Sequence, residues 1–376
     1  MYYLQSLHIV EVIILATLTF SFISQLFFYL FFFLRISFKI KKQEEKNTST
    51  PFSVIICSNN EAINLEKFLP SVLNQNYPDF EVIVVNDGST DGTEDVLKLF
   101  KSQYDRLYVT TLPTSGIFKK GKKMAISLGL KAAKNEWVVM TDADCEPVSN
   151  DWLSKINEKV ADDADFVIGY GGYFSSKGLL NRIIRFDTLF IALQYFTFAL
   201  AKSPYMGVGR NMAYRKSVFF NNKGFSRHLH LASGDDDLFV NENANYRNTK
   251  LLFTPKGFTR SVPETRFKSW FYQKKRHLTT AKYYKSKHKF LLGFEILTRF
   301  LFYASIIGGL FYYKLLIPVL ITFFVRFILQ LGILYHASVK FKEKGVFYLG
   351  MIFDFIIPII NFIVHLSNIK LRKRKK

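Results

Sequence analysis

The chain is nearly without cysteine, with only Cys57 and Cys145 among its 376 residues. Two thiols cannot build a disulfide framework or fill a four-ligand zinc site, and they suit a reducing compartment. Acidic residues are also scarce: 30 Asp and Glu stand against 51 Lys and Arg, for a net charge of +21. A disordered basic protein would be poor in aromatic residues, yet this chain is 49% hydrophobic and 17% aromatic, with 40 Phe. That excludes disorder, because the apolar surface is ample to offset chain entropy. It also argues against a purely soluble enzyme, in which so much Phe would lie in exposed patches. At roughly 100 to 200 residues per domain the length allows two, one in the membrane and one outside it.

Residues 12–34 carry no charge. At about 1.5 Å per residue they can cross a hydrocarbon core of about 30 Å. A cleaved signal peptide is the plain alternative, but the basic cluster Arg35, Lys39, Lys41 and Lys42 follows the apolar run, and no small-residue cleavage site comes after it. The positive-inside rule then places the following chain in the cytoplasm, in an inner or plasma membrane protein. Three more apolar stretches, 290–313, 315–335 and 346–366, close the sequence. Glu295 and Arg299 lie four apart in the first, Arg326 is mid-way along the second and Asp354 along the third. Charges at membrane depth face a bundle interior and pair, so an Arg326–Asp354 pair between helices is expected. Four crossings would leave the basic tail 370–376 outside, against the same rule. The last stretch, with Pro358 and Asn361, is therefore the candidate for a re-entrant or interfacial element. Basic residues flanking such segments bind anionic lipid head groups at about 1 kcal/mol each, which accounts for the charge without nucleic acid.

Between residues 52 and 258 short β-branched runs alternate with helix-length segments. Strands are expected at 52–57, 80–85, 107–110 and 137–141, and helices at 61–74, 93–103 and 122–134. Such alternation implies an α/β domain with a mostly parallel buried sheet, whose ligands bind at the carboxyl ends of the strands. After the first strand comes Ser58-Asn59-Asn60-Glu61, after the second Asn86-Asp87-Gly88-Ser89-Thr90-Asp91-Gly92-Thr93, and after the fourth Asp142-Ala143-Asp144. Asn and Asp also favour loops and helix caps, so Asp91 or Thr93 could simply cap the next helix. Asp142 and Asp144, two residues apart, can turn oxygens towards one hard divalent cation, which would neutralise a diphosphate. Lys119-Lys120-Gly121-Lys122-Lys123 opens a helix, where amides and lysines attract anions, although lysine runs are usually just solvated. Gly234-Asp235-Asp236-Asp237 crowds three carboxylates, which raise one another's pKa and make one a plausible general base; a solvated acidic loop is the alternative.

Together these residues resemble glycosyltransferase family 2, the inverting transferases with the A-type nucleotide-sugar (GT-A) fold. The likeness rests on 53–61, 86–93, Gly121-Lys122, Asp142-Ala143-Asp144 and Gly234 to Leu238, and covers about residues 50 to 280. It implies that Glu61 and Asp87 contact the base and ribose, that Asp142 and Asp144 hold Mg2+ or Mn2+ on the diphosphate, and that Lys122 helps hold the nucleotide. Asp236 matches the family's general base, for a single in-line displacement with inversion. Gln273-Lys274-Lys275-Arg276-His277 resembles the Q-x-x-R-W signature of polymer-forming membrane members such as the hyaluronan and cellulose synthases. Arg276 would then stabilise the diphosphate, with catalytic Gln273 on the same helix face and His277 standing where the relatives carry the Trp that lines the acceptor end. Cys57 and Asn59 depart from the family's usual Pro and Tyr. Gly207 to Ala213 resembles the acceptor-side loop, where glycines let backbone approach a sugar.

The expected organisation is a GT-A-like domain between an N-terminal transmembrane helix and a C-terminal helical bundle. Its parts are an anchor and basic linker at 1–46, the transferase domain at 47–265, an interfacial amphipathic segment at 266–289 and membrane helices with the tail at 290–376. Residues 179–200, interrupted by Arg182, Arg185 and Asp187, are expected to form a cytosolic or interfacial helix and not a span. The expected partners are a UDP- or GDP-linked sugar donor, a lipid-linked or glycan acceptor and membrane lipid. A processive synthase threading its polymer through the helices is the rival reading, with homo-oligomerisation as one way to add helices. A transporter and a catalytically dead scaffold are the readings from other classes.

Overall fold

The computed structural model describes residues 7–38, 48–112 and 121–373. Lys39, Lys41, Lys42, Lys119, Lys120 and the tail 374–376 lie outside them. The chain opens with helix α1, Ile9–Phe27, which runs on through a π turn at Phe28–Phe32 and a 3-10 turn at Phe33–Ser37. Neither Gly nor Pro interrupts it. Its Thr17, Thr19 and Ser24 hydroxyls donate back to carbonyls one turn earlier, which satisfies them within the apolar helix.

The four expected strands are present, each one residue longer than the sequence pattern predicts: β1 Phe52–Ser58, β2 Phe80–Asn86, β3 Leu107–Thr111 and β4 Trp137–Asp142. Between them lie α2 Ala62–Leu73, α3 Thr93–Gln103 and α4 Lys122–Ala132. Strands β1 to β4 pair in parallel in the order β3-β2-β1-β4. Val54, Ile55 and Ile56 are fully buried because helices cover both sheet faces. Gly129 of α4 allows the close approach: a Cβ there would stand 2.7 Å from Ile55 Cγ2.

Beyond β4 the pattern becomes mixed. Short strands β5 Cys145–Pro147, β6 Phe166–Gly169 and β7 Gly171–Tyr173, separated by helix α5 Trp152–Asn157, precede the long helix α6, Leu179–Leu200. Strand β8, Met212–Arg215, then runs antiparallel to both β4 and β6. Helices α7 Lys216–Asn221 and α8 Asp237–Asn243 follow, then β9 Thr249–Leu252 and β10 Thr259–Ser261. The result is a seven-stranded mixed sheet, β3-β2-β1-β4-β8-β6-β9, and a three-stranded one, β5-β10-β7.

Helix α9, Phe267–His277, leads into α10 Ser286–Gly309, α11 Leu316–Lys340 and α12 Gly350–Lys373. Four helical stretches are long and apolar enough to cross a membrane: Ile9–Ser37, Leu179–Leu200, Ser286–Gly309 and Tyr313–Lys340. Of these, α6 is mostly buried inside the protein. In α12 only Ile352–Val364 counts as apolar helix. Arg326 does meet Asp354, at 2.8 Å, but Asp354 also receives Arg299 at 3.0 Å.

Candidate active site

The parallel half of the sheet delivers its strand ends to one rim. From β4, Asp142 and Asp144 leave with Cys145, and one ligand atom of each lies within 4.8 Å of the others. The two carboxylates form a hard, all-oxygen donor pair suited to Mg2+ or Mn2+. Cys145 is buried, and burial followed by the Asp144 charge pushes its thiol well up, so it stays protonated and is a poor third ligand. Ser261 of β10 donates to Asp144 Oδ2 at 2.7 Å. Burial and then the Asp142 charge raise the pKa of Asp144.

Lys122, first residue of α4, contacts Asp142 Oδ1 at 2.7 Å and Asp235 Oδ2 at 3.5 Å. Burial alone would raise Asp142, but this ammonium holds it below the ordinary carboxylate range. Enclosure would lower Lys122 itself, and Asp142 and Asp235 overrule it, raising the lysine well above its usual value. A cation thus bridges the end of β4 to the acidic loop before α8.

In that loop Gly209 N–H donates to Asp236 Oδ2 at 2.9 Å, tying the glycine-rich loop before β8 to this carboxylate. Asp237 is buried and accepts from Thr280 Oγ1 at 2.5 Å and from Tyr284 O–H at 2.7 Å. The alternative of a plain solvated acidic loop therefore does not describe these three residues: Asp235 and Asp237 are buried, and Asp236 is half-buried. Neighbouring Lys123 turns inward and donates to the carbonyls of His228, Leu231 and Ser233 at 2.6, 3.1 and 2.8 Å, holding the chain just before Asp235.

Asp87, at the end of β2, accepts from Gly121 N–H at 3.3 Å, and Glu61, before α2, accepts from Asn64 at 2.6 Å. Burial raises Glu61, and Asp144 and Asp142 lie within its electrostatic reach. Asp91 is a clasp: it accepts from the backbone N–H groups of Ala62 and Thr93, the first residues of α2 and α3, while Gly92 takes the N-cap position of α3.

Helix α9 is fixed from behind by buried Trp270 and by Lys274, which donates to Asp187 of α6 at 2.7 Å. Gln273, Arg276 and His277 share another face. His277 lies at the exposed edge of α9, and desolvation by the surrounding protein, then Arg276 and Arg210, push its pKa down. Asp235 and Lys122 lie within its reach, so α9 closes the same cleft. Glu61, Asp87, Lys122, Asp142, Asp144 and Asp236 thus gather at one rim, which α9 reaches through His277, with Gln273 and Arg276 on the same helix.

Sequence reasoning missed Lys123, Arg210 and Ser261. Arg210 lies under the site, donating to Gly171 O at 2.9 Å and to Tyr173 Oη at 3.1 Å. The signal at Lys123 was its place in a lysine run, of whose described members Lys122 faces the cleft and Lys123 the interior. Ser261 lies in a three-residue strand too short to show a period.

Comparison with known proteins follows the same outline. The chain matches Glycosyl transferase family 2 over residues 53–220 and Glycosyl transferase family group 2 over residues 137–336. A probable glycosyltransferase, YdaM of Bacillus subtilis (strain 168), is 28% identical over 296 residues, which is 71% of this chain and 67% of that protein. A poly-beta-1,6-N-acetyl-D-glucosamine synthase of Staphylococcus epidermidis is 35% identical over 92 residues, 24% of this chain and 21% of the synthase. The solved mannosyltransferase PcManGT from Pyrobaculum calidifontis, in complex with GDP-Man and Mn2+, superimposes with a TM-score of 0.60 at 19% identity, covering 89% of this chain and 99% of that one. At that identity the likeness shows the fold, and the second family match alone spans more than half of the sequence. The chain belongs to glycosyl transferase family 2.

Proposed function

We propose that this enzyme moves a sugar from a UDP- or GDP-linked donor to a lipid-linked or cell-surface glycan acceptor, inverting the anomeric centre in one in-line displacement. The observation that carries the reading is the bridge of Lys122 between Asp142 and Asp235, which sets a carboxylate pair for a metal beside a second carboxylate loop. Glu61 and Asp87 hold the nucleoside, and Lys122, Arg276 and Gln273 face the diphosphate. Asp142 and Asp144 hold Mg2+ or Mn2+, which when bound supplies positive charge against the departing diphosphate. Asp236, oriented by the Gly209 N–H, takes the proton from the acceptor hydroxyl. That PcManGT was solved with GDP-Man and Mn2+ supports both donor class and metal.

The proposed division keeps an anchor at 1–46, a transferase domain at 47–265, an interfacial segment at 266–289 and membrane helices at 290–376, with the transferase part cytoplasmic. The break before 266 falls between β10 and α9. A processive synthase is the second reading, favoured by the Staphylococcus epidermidis likeness, though its 92 residues amount to 21% of that synthase. His277 in place of Trp favours single addition.

The test is nucleoside diphosphate release by the purified full-length protein in detergent, across a panel of nucleotide sugars, with native membrane lipids and Mn2+, Mg2+ or EDTA. Release is expected with one donor, lost with EDTA and reduced at least 100-fold in Asp144→Asn and in Asp236→Asn. Product length separates single addition from polymerisation. Metal-independent release at full rate would overturn the proposed chemistry.

A further inference from the structure

Glu343 lies in the turn between α11 and α12, far in sequence from every residue of the site, yet its side chain is 1% exposed. A lone carboxylate buried this deeply is costly unless paired and hydrogen-bonded. Here it is fully engaged. Arg185 of α6 reaches Oε2 at 2.8 Å, Tyr170 O–H donates to Oε1 at 2.9 Å, and Arg260 of β10 pairs with the same Oε1. Arg260 also donates to the carbonyls of Phe341 and Lys342 at 3.1 and 3.3 Å, and Arg185 to that of Lys344 at 2.8 Å. The turn is held in an uncommon shape, with Lys342 at φ +56°. Phe341 stacks on Tyr170 at 4.6 Å, which seats the turn on the transferase side. Even β7 is shaped around the contact: a Cβ at Gly172 would stand 1.8 Å from Arg260 Nη1 and 2.9 Å from Glu343 Oε1.

What Arg260 is attached to gives the contact its meaning. Side chains alternate along a strand, so Arg260 points one way from β10 and its neighbours Thr259 and Ser261 the other. Ser261 Oγ donates to Asp144 Oδ2 at 2.7 Å, and Val262 N–H to Asp144 O at 3.3 Å. Thr259 Oγ1 donates to Arg210 O at 3.0 Å. Strand β10, three residues long, thus carries the membrane-helix turn on one face and a proposed metal ligand on the other. Groups that orient a ligand from behind typically change metal affinity about 10- to 100-fold when removed.

We infer that Glu343 is a positioning residue for the metal site: through Arg260 and strand β10 it fixes Ser261 on Asp144, so the seating of the α11–α12 turn sets metal affinity. The inference rests on the metal reading of Asp142 and Asp144.

The experiment is Mn2+ titration of the full-length protein in detergent, read as loss of the free-ion electron paramagnetic resonance signal, which needs no turnover. Wild type is expected to bind and Asp144→Asn not; if wild type does not bind Mn2+, the metal reading itself falls and this inference with it. With wild-type binding in hand, Glu343→Gln and Ser261→Ala are each expected to weaken Mn2+ about 10-fold. The double variant is then expected to be no weaker than the weaker single, because both cut one relay. Leu18→Val, in the buried cluster between α1, α10 and α11 away from this turn, should lower the melting temperature and leave Mn2+ affinity in place. Unchanged affinity in Glu343→Gln, or additive losses in the double variant, overturns the inference. If Glu343→Gln does not fold, Gly172→Ala displaces Arg260 by sterics alone, and unchanged affinity there overturns it equally.

Discussion

At Lys122 and Lys123 two adjacent ammonium groups meet different partners: carboxylates at the cleft for one, three carbonyls in the interior for the other. Replacing Lys123 by Met keeps the stem and removes its bonds to all three carbonyls of the loop before Asp235, of which His228 O keeps the Leu231 N–H at 3.0 Å; each group left buried and unpaired costs about 1 to 3 kcal/mol. Lys123→Met is expected to lower kcat at least 10-fold while nucleotide affinity, measured by calorimetry, stays within a factor of about 3, since the lysine holds the Asp236 loop and not the donor. Weakened nucleotide binding at unchanged kcat would sink that assignment. Asp237 makes a second prediction. Burial, and then the charge of Asp236, push its pKa up to about 7. The fold therefore favours the protonated form: this contribution to stability is complete below the ordinary Asp value of about 4 and is lost as pH rises through about 7. Asp237→Asn retains an acceptor for Thr280 and Tyr284 without the charge. Its melting temperature should exceed wild type by a few degrees at pH 8 and lose that advantage at pH 4. Equal melting temperatures at pH 8 would contradict the shift.

Among elements, α1, α10, α11 and α12 are joined by a buried polar knot. Arg326 of α11 donates to Gln25 of α1 at 3.1 Å and meets Asp354 of α12 at 2.8 Å; Arg299 of α10 meets both Glu295 and Asp354. Gln25 returns a bond to Glu295 O at 3.1 Å. Two carboxylates face two guanidinium groups, so the formal charges cancel. Removing one member leaves an unbalanced buried charge, at about 3 to 5 kcal/mol. Asp354→Asn should therefore destabilise the detergent-solubilised protein more than Asp354→Asn combined with Arg326→Gln, as read by thermal unfolding. A double variant that loses the sum of the two single effects would show that charge balance is not what matters. A simple Arg–Asp swap would fail to rescue, because an arginine at 354 would face Arg299. The Arg326–Asp354 pair was legible in the sequence, since each charge interrupts an apolar run. Arg299 as a shared partner was not, because its spacing to Glu295 already offered a complete i, i+4 pair. The same contrast holds in the sheet. Strands β1 to β4 were legible because burial on both faces demands continuous β-branched runs, as in Val54-Ile55-Ile56. Strands β5, β7 and β10 were not, since three residues carry no period and their pairing depends on contacts such as Arg260–Glu343.

For the whole molecule the direction of α12 decides the topology. If α12 crossed beside α10, contacts would advance in step along both helices. Instead Phe355 packs on Tyr303 at 5.2 Å, and Phe362, about 10 Å farther along α12, packs on Phe300 at 6.2 Å, only three residues from Tyr303. Between them Ile360 packs against the cluster that joins Trp270 of α9 to Ile184 of α6. Near its start Phe353 packs on Phe186 of α6 at 5.4 Å. Helix α12, continuous through Pro358, thus contacts α6 and α9 as well as α10 and α11. The α11–α12 turn is fixed on the same side by Glu343, and Lys340 donates to Ile36 O at 2.7 Å, at the end of the N-terminal helix. If α1, α10 and α11 cross and α12 lies in the interface, the transferase part and the C-terminal end would share one face of the membrane, and the conflict between four crossings and a basic tail would fall away. A protease-cleavable tag after Lys376 and another inserted at Phe311, between α10 and α11, test this in sealed vesicles that expose the transferase part. The terminal tag should be cut and the inserted one protected until detergent is added. Protection of both tags until detergent is added would mean that α12 crosses the bilayer after all.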